Sequence, residues 1–135
     1  MALDSVLYGN RFSVLGGILL TILYHNPRCS KSREALALCE ASLREVQVHA
    51  YLTKPLDYDT LYSLLSRLDG ELHTAIRWKD KSFKEMINHD VDRTSIDSIA
   101  RFLSNNGHLM ERPWLDNGTF TRIGRPVEAL IELLQ

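Results

Sequence analysis

The stretch ILLTILYHNPRCSKSREALALCEASLREVQVHAYL, residues 18–52, decides the fold. Residues 18–24 form an apolar run, β-branched in part, bounded by Gly16-Gly17 and Pro27. Such a run suits a strand buried on both faces. Residues 30–44 read as a helix, with Leu36, Cys39 and Leu43 on one stripe and Ala35 and Leu38 beside it. Residues 46–52, VQVHAYL, read as a second strand. Together they make a βαβ unit, which implies a parallel pair joined by a right-handed crossover.

Downstream the pattern turns helical. Lys54-Pro55 opens a segment that Asp57 or Asp59 could cap. Leu61, Leu64, Leu65 and Leu68 keep helical spacing and Gly70 ends it. Two short helical pieces follow over 72–78 and 82–88. Thr94-Ser95-Ile96-Asp97 resembles a capping box, with Ile96, Ile99, Ala100 and Leu103 as the stripe and Gly107 as the stop. Residues 109–115 then read as a strand interrupted by Pro113, and Asp116-Asn117-Gly118 is a hairpin turn signal. Residues 119–123 alternate like the returning strand. Pro126 stands at the expected first position of a last helix, with Val127, Leu130, Ile131 and Leu134 as its stripe. The order is β-α-β, a helical middle, then β-β-α. Residues 1–16 read as an N-terminal extension that could be disordered, and 17–135 as one domain.

The chain has 135 residues, enough for one domain with its own core. Sixteen basic and 17 acidic residues leave a net charge of −1, so electrostatics give no case for a nucleic-acid partner. No apolar stretch reaches the ~18–20 residues needed to cross a bilayer. Two cysteines, Cys29 and Cys39, make neither a disulfide framework nor a paired zinc motif. A reducing, cytoplasmic setting is expected.

Cys29 falls where the first strand hands over to the first helix. Free backbone N–H groups and the helix dipole favour an anion there. A thiolate is such an anion, so the thiol pKa should fall. Arg28, Lys31, Arg33 and His25 would add positive potential, and the same amides could cradle a tetrahedral oxyanion. Cys39 is ten residues on, ~15 Å along a continuous helix. A disulfide needs α-carbons within ~7 Å. Cys39 therefore reads as core, and any disulfide on Cys29 would need an outside thiol to resolve it. His49, His73, His89 and His108 share no metal-ligand spacing, and Trp78 and Trp114 read as packing residues.

His25-Asn26-Pro27-Arg28-Cys29-Ser30-Lys31-Ser32-Arg33 resembles the H-N-P-x-C-x-x-S-R signature of the arsenate reductase (ArsC) family, in its glutaredoxin-coupled branch. Glu111-Arg112-Pro113 resembles that family's x-R-P segment, and Gly124-Arg125-Pro126 its second R-P. Arg77 matches the arginine of the middle helical region. The resemblance covers about residues 20–134. It implies an α/β, thioredoxin-like fold: a mixed four-stranded sheet flanked by helices, with a helical insertion and a cis Pro113. It further implies Cys29 as the nucleophile that forms a covalent thiol–arsenate adduct. His25 and Ser32 would tune the thiolate, and Asn26 would shape the turn. Arg77, Arg112 and Arg125 would hold the oxyanion, and Arg33 could either line the pocket or face solvent. Glutathione would be a co-substrate and glutaredoxin a partner, with no bound cofactor or metal. Independently of the family, guanidinium forks match tetrahedral oxyanions better than a lysine point charge does. Two other readings stay open. One is a general thiol oxidoreductase acting on glutathionylated proteins. The other is an Spx-type regulator, although such sensors use a C-x-x-C pair and the second position here is Ser32.

Overall fold

The computed structural model describes residues 14–15, 18–86 and 90–135. The expected extension over 1–16 lies outside the described residues, except that β1 (Val14–Leu15) pairs antiparallel with β2 (Ile18–Leu19). The strand expected over 18–24 is therefore two strands. The second, β3 (Thr21–His25), is buried along its whole length, as a central strand must be.

The βαβ unit forms as its periodicity implies. Helix α1 (Ser30–Ala41) returns the chain so that β4 (Val46–Ala50) pairs parallel with β3, Thr21 opposite Val46 and His25 opposite Ala50. Helix α1 stops three residues earlier than expected. Ser42 turns the chain and its hydroxyl donates to the Cys39 carbonyl at 2.9 Å, which leaves Leu43 fully exposed rather than on the stripe. Ser32, Ala35 and Cys39 are the buried face.

The helical middle begins with α2 (Tyr58–Ser66), where Asp57 is the cap and accepts the Thr60 N–H at 2.8 Å. A 3-10 turn (Leu72–Ala75) and the single-turn α3 (Lys81–Lys84) follow. The expected end of that second piece, at 88, lies outside the described residues. Helix α4 (Ile96–Asn105) is capped by Ser95, one residue later than the expected Thr94; the Ser95 hydroxyl accepts the Ser98 N–H at 3.1 Å. It packs Ile99, Ala100 and Leu103 against α2's Leu61, Leu64 and Leu65 in one apolar cluster.

The chain then re-enters the sheet. Only Trp114–Asp116 (β5) is strand, because residues 107–109 make a 3-10 turn before Pro113 and proline cannot donate to a ladder. Strand β5 runs antiparallel to β3, and β6 (Thr121–Ile123) antiparallel to β5, giving the order β4-β3-β5-β6. Gly118 in the hairpin has φ +91°, and a β-carbon there would lie 2.9 Å from Leu19 side-chain atoms. Only glycine meets both demands. The fold is thus α/β, a mixed four-stranded sheet flanked by helices with a helical insertion.

The last segment, Val127–Leu134, is a 3-10 helix rather than an α-helix. With three residues per turn, Val127, Leu130 and Leu133 stack on one side. Leu133 is therefore buried and Ile131, expected in the stripe, is exposed. No helix among the described residues is long and apolar enough to cross a membrane.

Candidate active site

Cys29 is the N-cap of α1, in an extended conformation and 8% exposed. Its N–H donates to the Asn26 carbonyl and its own carbonyl accepts the Arg33 N–H, both at 3.0 Å. The thiol makes no capping hydrogen bond. Burial alone would raise its pKa. Hydrogen bonding from the Arg112 side chain and from the N–H groups of Ser32 and Lys31, with the charge of Arg112, reverses this and holds it below the ordinary thiol value. The sulfur thus occupies a capping position that is satisfied when it is ionised. Cys39 is the counter-case. It is buried, free of any disulfide, and pushed up to about 11 by burial and then by the charge of Glu40.

The loop ahead of Cys29 is tied to α1 by Ser32. Its buried Oγ accepts the Asn26 N–H at 2.9 Å and lies 2.7 Å from His25 Nδ1. Burial, and then the charge of Arg33, outweigh the Ser32 hydrogen bond and lower the His25 pKa, so the imidazole is neutral at pH 7. Asn26 Oδ1 accepts the Arg28 N–H at 3.0 Å, which shapes the turn as expected. The neighbouring basic residues do not converge on the sulfur. Arg28, Lys31 and Arg33 are exposed, Lys31 pairs with Glu34 at 3.4 Å, and Arg33 donates to the Pro27 carbonyl at 3.0 Å. The open choice for Arg33 is settled in favour of a solvent-facing brace.

The positive charge at Cys29 arrives from the other end of the chain. The Arg112–Pro113 and Arg125–Pro126 peptides are both cis. Gly124 donates its N–H to the Pro113 carbonyl at 2.8 Å, and a β-carbon on it would meet Leu130 at 2.9 Å and Pro113 at 3.0 Å. That close approach sets Arg125 beside Arg112: Arg125 Nε donates to the Arg112 carbonyl at 2.8 Å, and Nη2 reaches Cys29 Sγ at 3.8 Å. Arg77 is held one step back, donating to Asp80 Oδ2 at 2.6 Å.

Glu111, quoted in the sequence only as part of its motif, ties the three arginines together. One oxygen, Oε1, accepts the Arg112 N–H at 3.1 Å and lies 3.4 Å from Arg125 Nη2 and 3.9 Å from Arg77 Nε. Beyond them opens a cleft of about 710 Å³, which Arg77, Glu111 and Arg125 line at the site and Asp69 and Arg122 line further off. Cys29 does not line it; the cleft adjoins the sulfur through those arginines. Among the described residues no group of three or more His, Cys, Asp or Glu could hold a metal ion.

The arrangement can therefore ionise a thiol and hold an anion beside it. Iodoacetamide alkylation of Cys29 should rise with pH about a midpoint below the ordinary thiol value of 9.0, while Cys39 stays unmodified in the native chain. Arg112→Ala should move that midpoint to higher pH, since burial then acts unopposed by its charge and hydrogen bond. Mass spectrometry after timed alkylation reads both, and an unchanged midpoint would remove Arg112 from the thiolate's environment.

Comparison with known proteins converges on the same segments. A model of the ArsC family matches residues 24–133. The chain is 35% identical over 114 residues to the arsenate reductase of Haemophilus influenzae, covering 84% of this chain and 97% of that protein. It is 38% identical over 113 residues to the uncharacterized protein YfgD of Escherichia coli, covering 83% and 94%. In three dimensions it resembles an arsenate reductase from Vibrio cholerae, with TM-score 0.74, 34% identity, and coverage of 87% and 99% of the two chains.

Proposed function

The chain belongs to the ArsC family, and on that premise we propose that it reduces arsenate to arsenite through a covalent adduct on Cys29, with glutathione and glutaredoxin supplying the electrons. The observation that carries the reading is an ionisable Cys29 with Arg112 and Arg125 against it and no second thiol in reach. The Cys29 thiolate attacks arsenic, an oxygen leaves as water, and an S–As bond forms with arsenic still pentavalent. The thiolate of glutathione then takes the Cys29 sulfur. Two electrons pass to arsenic, arsenite departs, and a mixed disulfide remains for glutaredoxin to reduce. Over the cycle two thiols become one disulfide as As(V) becomes As(III). The guanidinium groups hold the multiply charged oxyanion and oppose charge as it develops. Cys39 is buried within the core and unionised, so the second thiol comes from outside. The adjoining cleft gives it a route of approach. On this reading the protein works in a reducing, cytoplasmic setting, where a lone reactive thiol stays reduced.

The test is arsenate-dependent NADPH oxidation with glutathione, glutathione reductase and glutaredoxin supplied. Omission of arsenate, glutathione or glutaredoxin should each return the rate to background. Oxidation that ignores arsenate but proceeds on a glutathionylated peptide would replace this reading with a general thiol oxidoreductase. The cleft favours that second reading in one respect: it is far larger than one oxyanion.

A further inference from the structure

Among the described residues, four buried side-chain polar atoms lack a hydrogen-bond partner: the hydroxyls of Tyr24 and Tyr51, Arg112 Nε and Trp114 Nε1. Leaving a buried donor unmet is costly, and folded proteins leave few of them. Two of the four belong to one place. Tyr51 directly follows β4, whose last residue Ala50 lies opposite His25. The chain therefore leaves the sheet at the edge where the Cys29 loop begins. The Tyr51 ring is 2% exposed and packs into the larger apolar cluster. Its hydroxyl feels the charges of Arg112, Cys29 and Arg77, and the Asn26 side chain interacts with the phenol oxygen as a hydrogen-bond donor. Burial, first among these influences, raises the phenol pKa, so the group is a donor at neutral pH. Guanidinium groups cannot accept its proton, and the Asn26 side chain lowers the phenol pKa, so it acts as a donor toward the phenol oxygen and does not take its proton. Arg112 Nε is a second buried donor without a partner, on the side chain that also hydrogen-bonds the Cys29 sulfur.

Two unmet buried donors, both on side chains that interact with Cys29, mark the place of an acceptor. We propose that Tyr51 is a further oxyanion-binding residue, its hydroxyl and Arg112 Nε both donating to the tetrahedral oxyanion held at Cys29. This rests on the oxyanion reading of the site. It adds to that reading a neutral donor at a fixed position. The arginines select for charge; the phenol selects for an oxygen placed where the buried ring can reach it.

The experiment is protection of Cys29 from iodoacetamide by arsenate and by sulfate, a tetrahedral oxyanion that thiols do not reduce under these conditions. In Tyr51→Phe the concentration giving half protection should rise about 10- to 100-fold, as expected for a lost hydrogen bond to a charged group. Half protection is read against each variant's own alkylation rate without oxyanion. The melting temperature should not fall, since only an unpartnered hydroxyl is removed. Tyr24→Phe, which removes the other orphaned phenol, should protect like wild type. Equal half-protection in Tyr51→Phe and wild type would overturn the assignment. Lack of protection in wild type by either anion would sink the oxyanion reading itself, and the assignment with it. On the unmodified chain, the assigned Tyr51 Cζ resonance of 13C-tyrosine protein should shift on saturation with sulfate. A resonance that stays fixed while Cys29 is protected also overturns the proposal, and this readout needs no variant to fold.

Discussion

Cys29→Ser is expected to bring arsenate-dependent NADPH oxidation down by roughly 10³-fold or more, to the background of the coupling system. The hydroxyl of serine does not ionise near neutral pH, so Arg112 and the N–H groups of Lys31 and Ser32 would have no anion to stabilise. Folding should survive. The residue is the N-cap of α1, and serine caps helices well. Its melting temperature should equal or slightly exceed that of wild type. Cys39→Ala is the paired control. It leaves a small void between α1 and the last helix, where Cys39 packs with Ala35, Leu130 and Leu133, and should lower stability while turnover persists. Turnover that survives Cys29→Ser and is lost in Cys39→Ala would overturn the assignment of the nucleophile.

Arg67→Ala is expected to lower stability by about 3–5 kcal/mol, read by urea denaturation. Asp116 is fully buried in β5, between β3 and β6. Its carboxylate accepts from Arg67 Nε at 3.1 Å and Nη2 at 2.8 Å, from the Thr121 hydroxyl at 3.2 Å, and from the Gly118 N–H at 3.3 Å. The Arg67 carbonyl also accepts the Thr121 N–H at 3.0 Å. The pair thus fastens the end of α2 to the hairpin whose two flanks carry Arg112 and Arg125. Removing the cation strands a buried charge. The double variant Arg67→Met/Asp116→Leu should recover most of the loss, because a buried pair replaced by apolar groups of similar volume is often close to neutral. A single variant within 1 kcal/mol of wild type would show that solvent reaches Asp116 when Arg67 leaves.

Both results depend on contacts that local patterns do not report. The strand, helix and strand of residues 18–52 follow from spacing within a few residues of one another, and so does the cysteine at a helix start. Near neighbours also mark the hairpin turn at Asp116-Asn117-Gly118. Errors fell where two local solutions are close in energy. Leu43 continues a helical stripe, yet Ser42 ends the helix first. Residues 127–134 carry spacing that suits either helix type, and the tighter turn buries Leu133 in place of Ile131.

The sequence by itself determined the element order, the lone thiol at a helix N-terminus and the arginine-proline pairs, because each is written in residues adjacent along the chain. The tertiary structure decided which charges reach that thiol. Arg28, Lys31 and Arg33 are its neighbours in sequence but face solvent, whereas Arg112 and Arg125 come to it across the sheet. It also placed Glu111 among three arginines and left the Tyr51 hydroxyl without an acceptor. Coulomb energy and hydrogen bonding depend on distance in space, and that distance is set only when β5 docks against β3.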